Sequence, residues 1–279
     1  MDVKNLHKLQ DWENYYSDNI PLQVKLKAGV FTSYDIFLCD SLINSYLPKY
    51  HGPTKNQPVI CEIGSGDGKL LKKIAKMIGY KPVGIEYSKE AAKIAKKNGV
   101  KTIVGDAFDK NFLAKYKNHF DVVFSYGFVE HIIPPKKAIK IHLDLLKPGG
   151  YFIIQIPRFK GFNLLRLKFF RPDLLKNHNL DIMNEDVLEK LCKIPGAEKV
   201  YCGNYGTLKL RLPMNKKGLK YYLLKGICSL DYVLNPTLRL LFGNKGYETY
   251  LFSPAVMFIG KKRHKRDAHQ SKNSYFTIL

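Results

Sequence analysis

The chain has 279 residues, 45% of them hydrophobic and 25% charged, which excludes a disordered tail protein and a disulfide miniprotein and suffices for one large α/β domain or two small ones. Lysine and arginine outnumber aspartate and glutamate 46 to 24, a formal net charge of +22, yet the only arginines are Arg158, Arg166, Arg171, Arg211, Arg239, Arg263 and Arg266. An excess so rich in lysine and so evenly spread argues against base reading, where forked arginine contacts dominate, and leaves an anionic substrate or a membrane surface as the partner class.

Residues 1–50 carry aromatics at helical spacing, with Trp12, Tyr15 and Tyr16 followed by Phe31, Tyr34, Phe37 and Leu38. They predict two or three short helices forming an N-terminal cap, ended by His51-Gly52-Pro53-Thr54. From Val59 onward, short β-branched runs (59–63, 82–86, 101–104, 121–125 and 151–156) alternate with Lys-studded helical stretches (69–78, 89–97 and 136–146), the pattern of βαβ units. Ser88 is placed to cap the second helix and Asn98-Gly99 to stop it. The fold class expected is therefore α/β, an open doubly wound Rossmann-like sheet.

After Pro157 the chain turns basic and aliphatic over residues 158–171, and Asn184 then caps a further helix. Two late strands (199–202 and 255–259) flank a helical insertion at about 206–250, with its helix near 216–241. Beyond Gly260, Lys261-Lys262-Arg263-His264-Lys265-Arg266 opens a loose basic tail over 261–279. The expected domains are thus 1–50, 51–260 and 261–279. Cys39, Cys61, Cys192, Cys202 and Cys228 form no C-x-x-C pair, so neither a zinc site nor a disulfide framework is signalled. Residues 1–8 lack the apolar core of a signal peptide, and no run reaches the roughly 18 apolar residues of a membrane span. A reducing, cytoplasmic setting is expected.

The sharpest feature is Glu62-Ile63-Gly64-Ser65-Gly66-Asp67-Gly68-Lys69, a strand running through a glycine-rich turn into a helix. A dinucleotide fingerprint would need a third small residue where Lys69 stands. Carboxylates at Glu62 and Asp67 would oppose a pyrophosphate at a helix N-terminus and suit an ammonium- and sulfonium-bearing ligand. Glu86, 22 positions past Gly64 at the next strand end, can accept both ribose hydroxyls of an adenosine. Asp106, past the following strand, can take an adenine amino group. Phe124-Ser125-Tyr126-Gly127-Phe128-Val129-Glu130-His131 follows the fourth strand, and Leu145-Leu146-Lys147-Pro148-Gly149-Gly150 leads into the fifth. All the acidic elements fall on the carboxyl edge, where such sheets bind ligands.

In this order and spacing the chain resembles the class I S-adenosylmethionine-dependent methyltransferases, in the type 11 group with a Val-Glu-His signature, over about residues 58–157 and the late strand pair. The resemblance implies a seven-stranded sheet with its last strand antiparallel. It implies methionine-moiety contacts at Glu62, Gly64 and Gly66, ribose contacts at Glu86, adenine contacts at Asp106 and Ala107, and backbone contacts near Phe124 and Ser125. Ser65, Gly68 and Tyr87 complete the candidate cofactor set for S-adenosylmethionine and its product S-adenosylhomocysteine. A looser likeness over residues 157–183 is to a bacterial subgroup linked to surface-polysaccharide gene clusters.

Methyl transfer is an in-line displacement, so alignment dominates; a base is needed where the acceptor loses a proton. His131 is the candidate base, with Glu130 beside it. The metal pattern E-x-x-E-H of some relatives would need an acid where Gly127 stands, so no metal is expected. Base methylation is disfavoured because no Asp/Asn-Pro-Pro-aromatic follows the fourth strand and no cysteine lies between Cys61 and Cys192. Tyr15 and Tyr16 are candidates for a lid over the cofactor. The 158–171 stretch and the insertion are expected to wall the acceptor pocket or form a dimer surface, with peripheral membrane contact as a third use. The expected activity is methylation, favoured at oxygen, of a small anionic or sugar-containing acceptor, phosphate- or nucleotide-linked. An NAD-dependent oxidoreductase and an RNA-binding methyltransferase-like module are the alternatives.

Overall fold

The computed structural model describes residues 3–17, 34–210, 212, 218–246 and 248–264. In chain order these form β1 (Lys4–Asn5), α1 (Leu9–Ser17), α2 (Tyr34–Tyr46), β2 (Val59–Ile63), α3 (Lys69–Ile78), β3 (Lys81–Glu86), α4 (Lys89–Lys97), β4 (Lys101–Val104), α5 (Lys110–Tyr116), β5 (Phe120–Tyr126), β6 (Ile132–Ile133), α6 (Pro135–Leu145), β7 (Leu146–Pro157), α7 (Gly161–Phe170), α8 (Pro172–Lys176), α9 (Glu185–Cys192), β8 (Ala197–Tyr205), α10 (Leu219–Ser229), α11 (Asp231–Phe242) and β9 (Ala255–Lys262). Seven strands make one sheet in the order β4-β3-β2-β5-β7-β9-β8. β9, the last in the chain, runs antiparallel to β7 and to β8, while the pairs from β4 to β7 are parallel.

Alternation along the strands builds two cores, because successive side chains leave opposite faces. Ile60, Val122, Ile153, Met257 and Ile259 pack under α2 and α3, against Leu38, Ile43, Leu71 and Ile74. Cys61, Val123, Phe152, Ile154, Val256 and Phe258 pack on the other face against Ala138, Ile139 and Leu188 of α6 and α9. Both faces being covered explains why the strands read as continuous apolar runs. From β2 the chain winds outward to β3 and β4, then returns to β5 and β7 on the other side. The crevice at the carboxyl ends of β2 and β5 is therefore the switch point where open sheets bind ligands.

Local signals act as expected at several ends. Ser88 accepts from the Ala91 amide at 3.1 Å, Asn184 accepts from Asp186 at 2.8 Å, and Gly99 takes a positive φ after α4. Elsewhere the structure differs from the sequence expectation. The Pro148-Gly149-Gly150 turn is absorbed into β7: Leu146 pairs with Phe120 and Tyr151 with Val122, and a register shift takes up the difference. β9 continues past Gly260 to Lys262, so the tail starts later than its composition suggests. The insertion holds two helices meeting at Leu230; Lys216 lies outside the described residues. The described part of the cap holds two helices and the two-residue β1, with Phe31 outside it, and residues 265–279 of the basic tail are likewise outside.

His142 on α6 is fully enclosed, with Nδ1 2.8 Å from the Ala138 carbonyl oxygen and Nε2 3.0 Å from the Ser125 hydroxyl. Burial pushes its pKa down to about 4, against roughly 6.5 in an unfolded chain. Between those values the unfolded state binds more protons, so this group's contribution to stability is intact above pH 6.5 and is lost as pH falls through the window. Urea unfolding at pH 7 and pH 5 should show His142→Gln losing clearly less stability than the parent on acidification, by on the order of 1 kcal/mol. Equal losses would place the acid sensitivity elsewhere.

Candidate active site

A cavity of about 580 Å³ opens at the carboxyl edge of the sheet, within the size range of small-molecule sites. Its floor is made by strand ends and the loops after them: Ile63 and Gly64 after β2, Ile85 to Tyr87 at β3, Gly105 to Phe108 after β4, and Tyr126 to Phe128 with His131 after β5. Its roof is the N-terminal segment, with Val3, Asn5, His7, Lys8, Leu9, Trp12, Tyr15 and Tyr16 all on the lining. Tyr15 and Tyr16, the candidate lid residues, are both on this roof, which reaches back to the first described residues.

The glycine-rich turn shows why its residues are small. The Gly64 and Ser65 amides both donate to the Ile85 carbonyl, at 2.9 and 3.2 Å, bending the chain back over β3. Gly66 has φ +52°, and the Tyr16 hydroxyl occupies the place its Cβ would take. Its amide donates to Glu86 Oε2 at 2.8 Å, and the Ser88 amide donates to Glu86 Oε1 at 2.8 Å. Even so, burial lifts the Glu86 pKa above the ordinary carboxylate range. Behind it lies Glu62, 3% exposed, pushed up strongly by burial first and then by Glu86 and Asp67. One Glu62 oxygen has no hydrogen-bond partner among the described residues. Two adjacent buried carboxyl groups with a missing donor fit a cationic, hydroxyl-bearing ligand such as S-adenosylmethionine.

Glu86, Gly64, Asp106, Ala107 and Tyr87 are brought together on the lining. Asp106 also turns one oxygen to the Phe108 amide at 2.8 Å. Ser65, Gly66 and Gly68 shape the turn without lining the cavity: the Ser65 hydroxyl lies against Gly84, and Gly68 faces Val100. Phe124 is part of the core beneath the sheet, and the Ser125 hydroxyl is engaged with His142. Neither is on the lining; alternation along β5 sends their side chains to opposite faces of the sheet, and the contacts expected there are backbone ones.

His131 closes the far end. It sits with Glu130 on a short 3₁₀ turn, Val129–His131. Its Nδ1 lies 2.8 Å from the Asn177 carbonyl oxygen. A nitrogen facing a carbonyl must carry the proton, which assigns the tautomer and leaves Nε2 as a lone pair. Burial, then the neighbouring His178, pushes the His131 pKa down to about 3. Burial raises Glu130 to about 8. The 158–171 stretch does not line the cavity, contrary to its expected role as acceptor wall. Arg158 donates to Ser253 and faces the Tyr250 ring, and Arg171 pairs with Asp173 at 2.6 Å.

Two attachments hold the roof. β1 pairs with β6, Lys4 opposite Ile133 and Asn5 opposite Ile132, and the Leu6 amide donates to the His131 carbonyl at 2.8 Å. At the other end, Glu13 accepts from the Lys89 amide (2.8 Å), the Ser88 hydroxyl (2.9 Å) and the Glu90 amide (3.1 Å), a carboxylate on the positive end of α4. Sequence reasoning missed Glu13, since a single acid in an aromatic helix carries no signal of its partner. Glu13→Ala should speed amide exchange over residues 9–17 by about tenfold while leaving the β2–β5 core protected. Unchanged exchange would mean that the strand pair alone secures the segment.

A family model described as a methyltransferase domain matches residues 34–200. Among curated proteins the chain is 26% identical over 96 residues to a ubiquinone biosynthesis O-methyltransferase of Proteus mirabilis, covering 33% of this chain and 39% of that protein. It is 38% identical over 95 residues to an uncharacterized protein of Methanocaldococcus jannaschii, covering 34% and 42%. The match thus spans about two-fifths of the length of these relatives. In fold it is similar to an S-adenosylmethionine-dependent methyltransferase of Thermotoga maritima described as a possible histamine N-methyltransferase (TM-score 0.53, 19% identity, 91% of this chain and 96% of that one). It is similar also to phosphoethanolamine N-methyltransferase 2 of Haemonchus contortus in complex with S-adenosylmethionine (TM-score 0.52, 17% identity, 92% and 60%). With more than half its length matched by the family model and its sheet in the order described, the chain belongs to the methyltransferase-domain family and carries the class I S-adenosylmethionine-dependent fold.

Proposed function

We propose that the chain methylates a hydroxyl group of a small, anionic or sugar-containing acceptor. The observation that carries this reading is the single cavity with Glu86 and Asp106 at one end and the Nε2 lone pair of His131 at the other. Bound S-adenosylmethionine supplies a methyl group on a positively charged sulfur. In the transfer the carbon–sulfur bond breaks, a carbon–oxygen bond forms, and the thioether product leaves neutral. Glu86 holds the ribose hydroxyls, Asp106 and Ala107 face the adenine, and the paired Glu62 and Glu86 carboxyls favour the donor's positive charge over the neutral product.

His131 accepts the hydrogen bond of the acceptor hydroxyl. As the new bond forms, that oxygen becomes strongly acidic, so even a weakly basic imidazole takes the proton at Nε2. Glu130 lies beside it, with an oxygen 4.0 Å from that nitrogen. An amine acceptor would not need this partner, which is why oxygen is preferred, although neighbours in fold are named for nitrogen acceptors. Lys8 brings a cation to the lining, suiting a phosphate or carboxylate on the acceptor. The loose likeness over residues 157–183 supports a sugar acceptor in surface-polysaccharide synthesis, and His178 of that stretch packs on His131 with ring centroids 4.4 Å apart.

Calorimetry should show saturable binding of S-adenosylhomocysteine, weakened at least about tenfold in Glu86→Ala; absence of binding by the parent would sink the assignment. A mass screen of nucleotide sugars and phosphorylated sugars for a gain of one methyl supplies the acceptor. On that acceptor His131→Ala should lose on the order of a hundredfold in turnover with donor affinity changed less than about threefold. Equal turnover would remove His131 from the chemistry.

A further inference from the structure

Behind the acceptor end of the cavity, Glu130, His131 and His178 each offer one ligand atom, and the three atoms lie within 4.8 Å of one another. Both imidazoles are held the same way. His131 turns Nδ1 to the Asn177 carbonyl at 2.8 Å, and His178 turns Nδ1 to the Leu174 carbonyl at 2.5 Å. Each Nδ1 is therefore the protonated nitrogen and each Nε2 a lone pair. A backbone carbonyl behind the ring is also how metal-bound imidazoles are commonly fixed in tautomer and orientation. Glu130 is 1% exposed; one of its oxygens lies 4.0 Å from His131 Nε2, and the other has no hydrogen-bond partner among the described residues. The cluster thus gathers two ring nitrogens with lone pairs and a buried carboxyl oxygen without a partner, groups that a cation can bind in place of a proton.

We propose that Glu130, His131 and His178 bind one divalent transition-metal ion, zinc foremost. Two nitrogens and one carboxylate oxygen are the donor set of three-ligand zinc sites that keep a position open, and they favour zinc-like ions over magnesium or calcium. Ligand atoms on one tetrahedral zinc ion lie about 3.4 Å apart. The 4.0 Å pair and a set bounded at 4.8 Å therefore close onto the ion through side-chain shifts of roughly 0.5 to 1.5 Å. The sequence expectation of no metal rested on Gly127. A Cβ there would lie 3.5 Å from Glu130 Oε1, so position 127 does face the cluster. Its missing side chain leaves room beside the Glu130 carboxylate, while His178 comes from 48 residues further on. His131 lines the cavity, so the open position faces acceptor space. Resting on the methyltransferase reading, this deepens it: with the ion bound, an acceptor hydroxyl flanked by a second oxygen donor would be held at the open position and would release its proton to cavity water, His131 then serving as ligand instead of base.

Chelator-stripped full-length protein titrated with zinc by calorimetry, and with cobalt(II) by visible absorption, tests the site. One saturable equivalent, weakened about a hundredfold or more in His178→Ala, with a cobalt spectrum that changes in Glu130→Gln, is the expected result. No saturable binding, or binding and spectra unchanged in both variants, overturns the proposal. S-adenosylhomocysteine binding by the metal-free protein is measured alongside. It shows that His178→Ala is folded, with His178→Gln replacing it if not, and it separates the two readings: donor binding without metal binding sinks only the metal site, and metal binding without donor binding sinks only the transferase.

Discussion

One buried carboxylate organises the donor end of the cavity. Glu86 receives the amides of Gly66 and Ser88, and so ties the glycine turn after β2 to the first turn of α4. Ser88 passes the connection on, donating its hydroxyl to Glu13 while capping α4 through Ala91. A continuous run of polar contacts therefore leads from the floor of the cavity to its roof. Removing Glu86 would leave two inward-facing amides without partners, a cost beyond the loss of a ligand contact.

The sheet was legible because βαβ units announce themselves. The runs at 59–63 and 101–104 and the helices at 69–78 and 89–97 coincide with the observed elements, since each begins or ends at a residue with a local reason to do so, such as Ser88 or Gly99. α5 escaped notice: its seven residues, Lys110–Tyr116, are too few for a period to show, and Asp109 capping Phe112 at 2.8 Å resembles an ordinary loop aspartate. The extension of β7 through Pro148-Gly149-Gly150 escaped for the opposite reason. Turn-forming residues are read as turns until a partner strand, here β5, is seen to absorb them.

The cavity was half legible. Acids at strand ends on one sheet edge pointed to Glu86 and Asp106, and both line it. Phe124 and Ser125, expected to offer backbone contacts, share the strand-end position but are not on the lining; their side chains go to the core and to His142, and a motif carries no information about which way a side chain points. The roof's anchor at Glu13 and the approach of His178 to His131 join residues 75 and 47 positions from their partners. Only tertiary packing creates such pairs.

The contact between the Leu6 amide and the His131 carbonyl joins two ends of the cavity that the sheet alone would leave independent. α1 lays Tyr16 on the glycine turn at one end, and the residues just before it are tied to the backbone of His131 at the other. A displacement of this segment at either end is therefore felt at both, so the two halves of the cavity share one mechanical boundary.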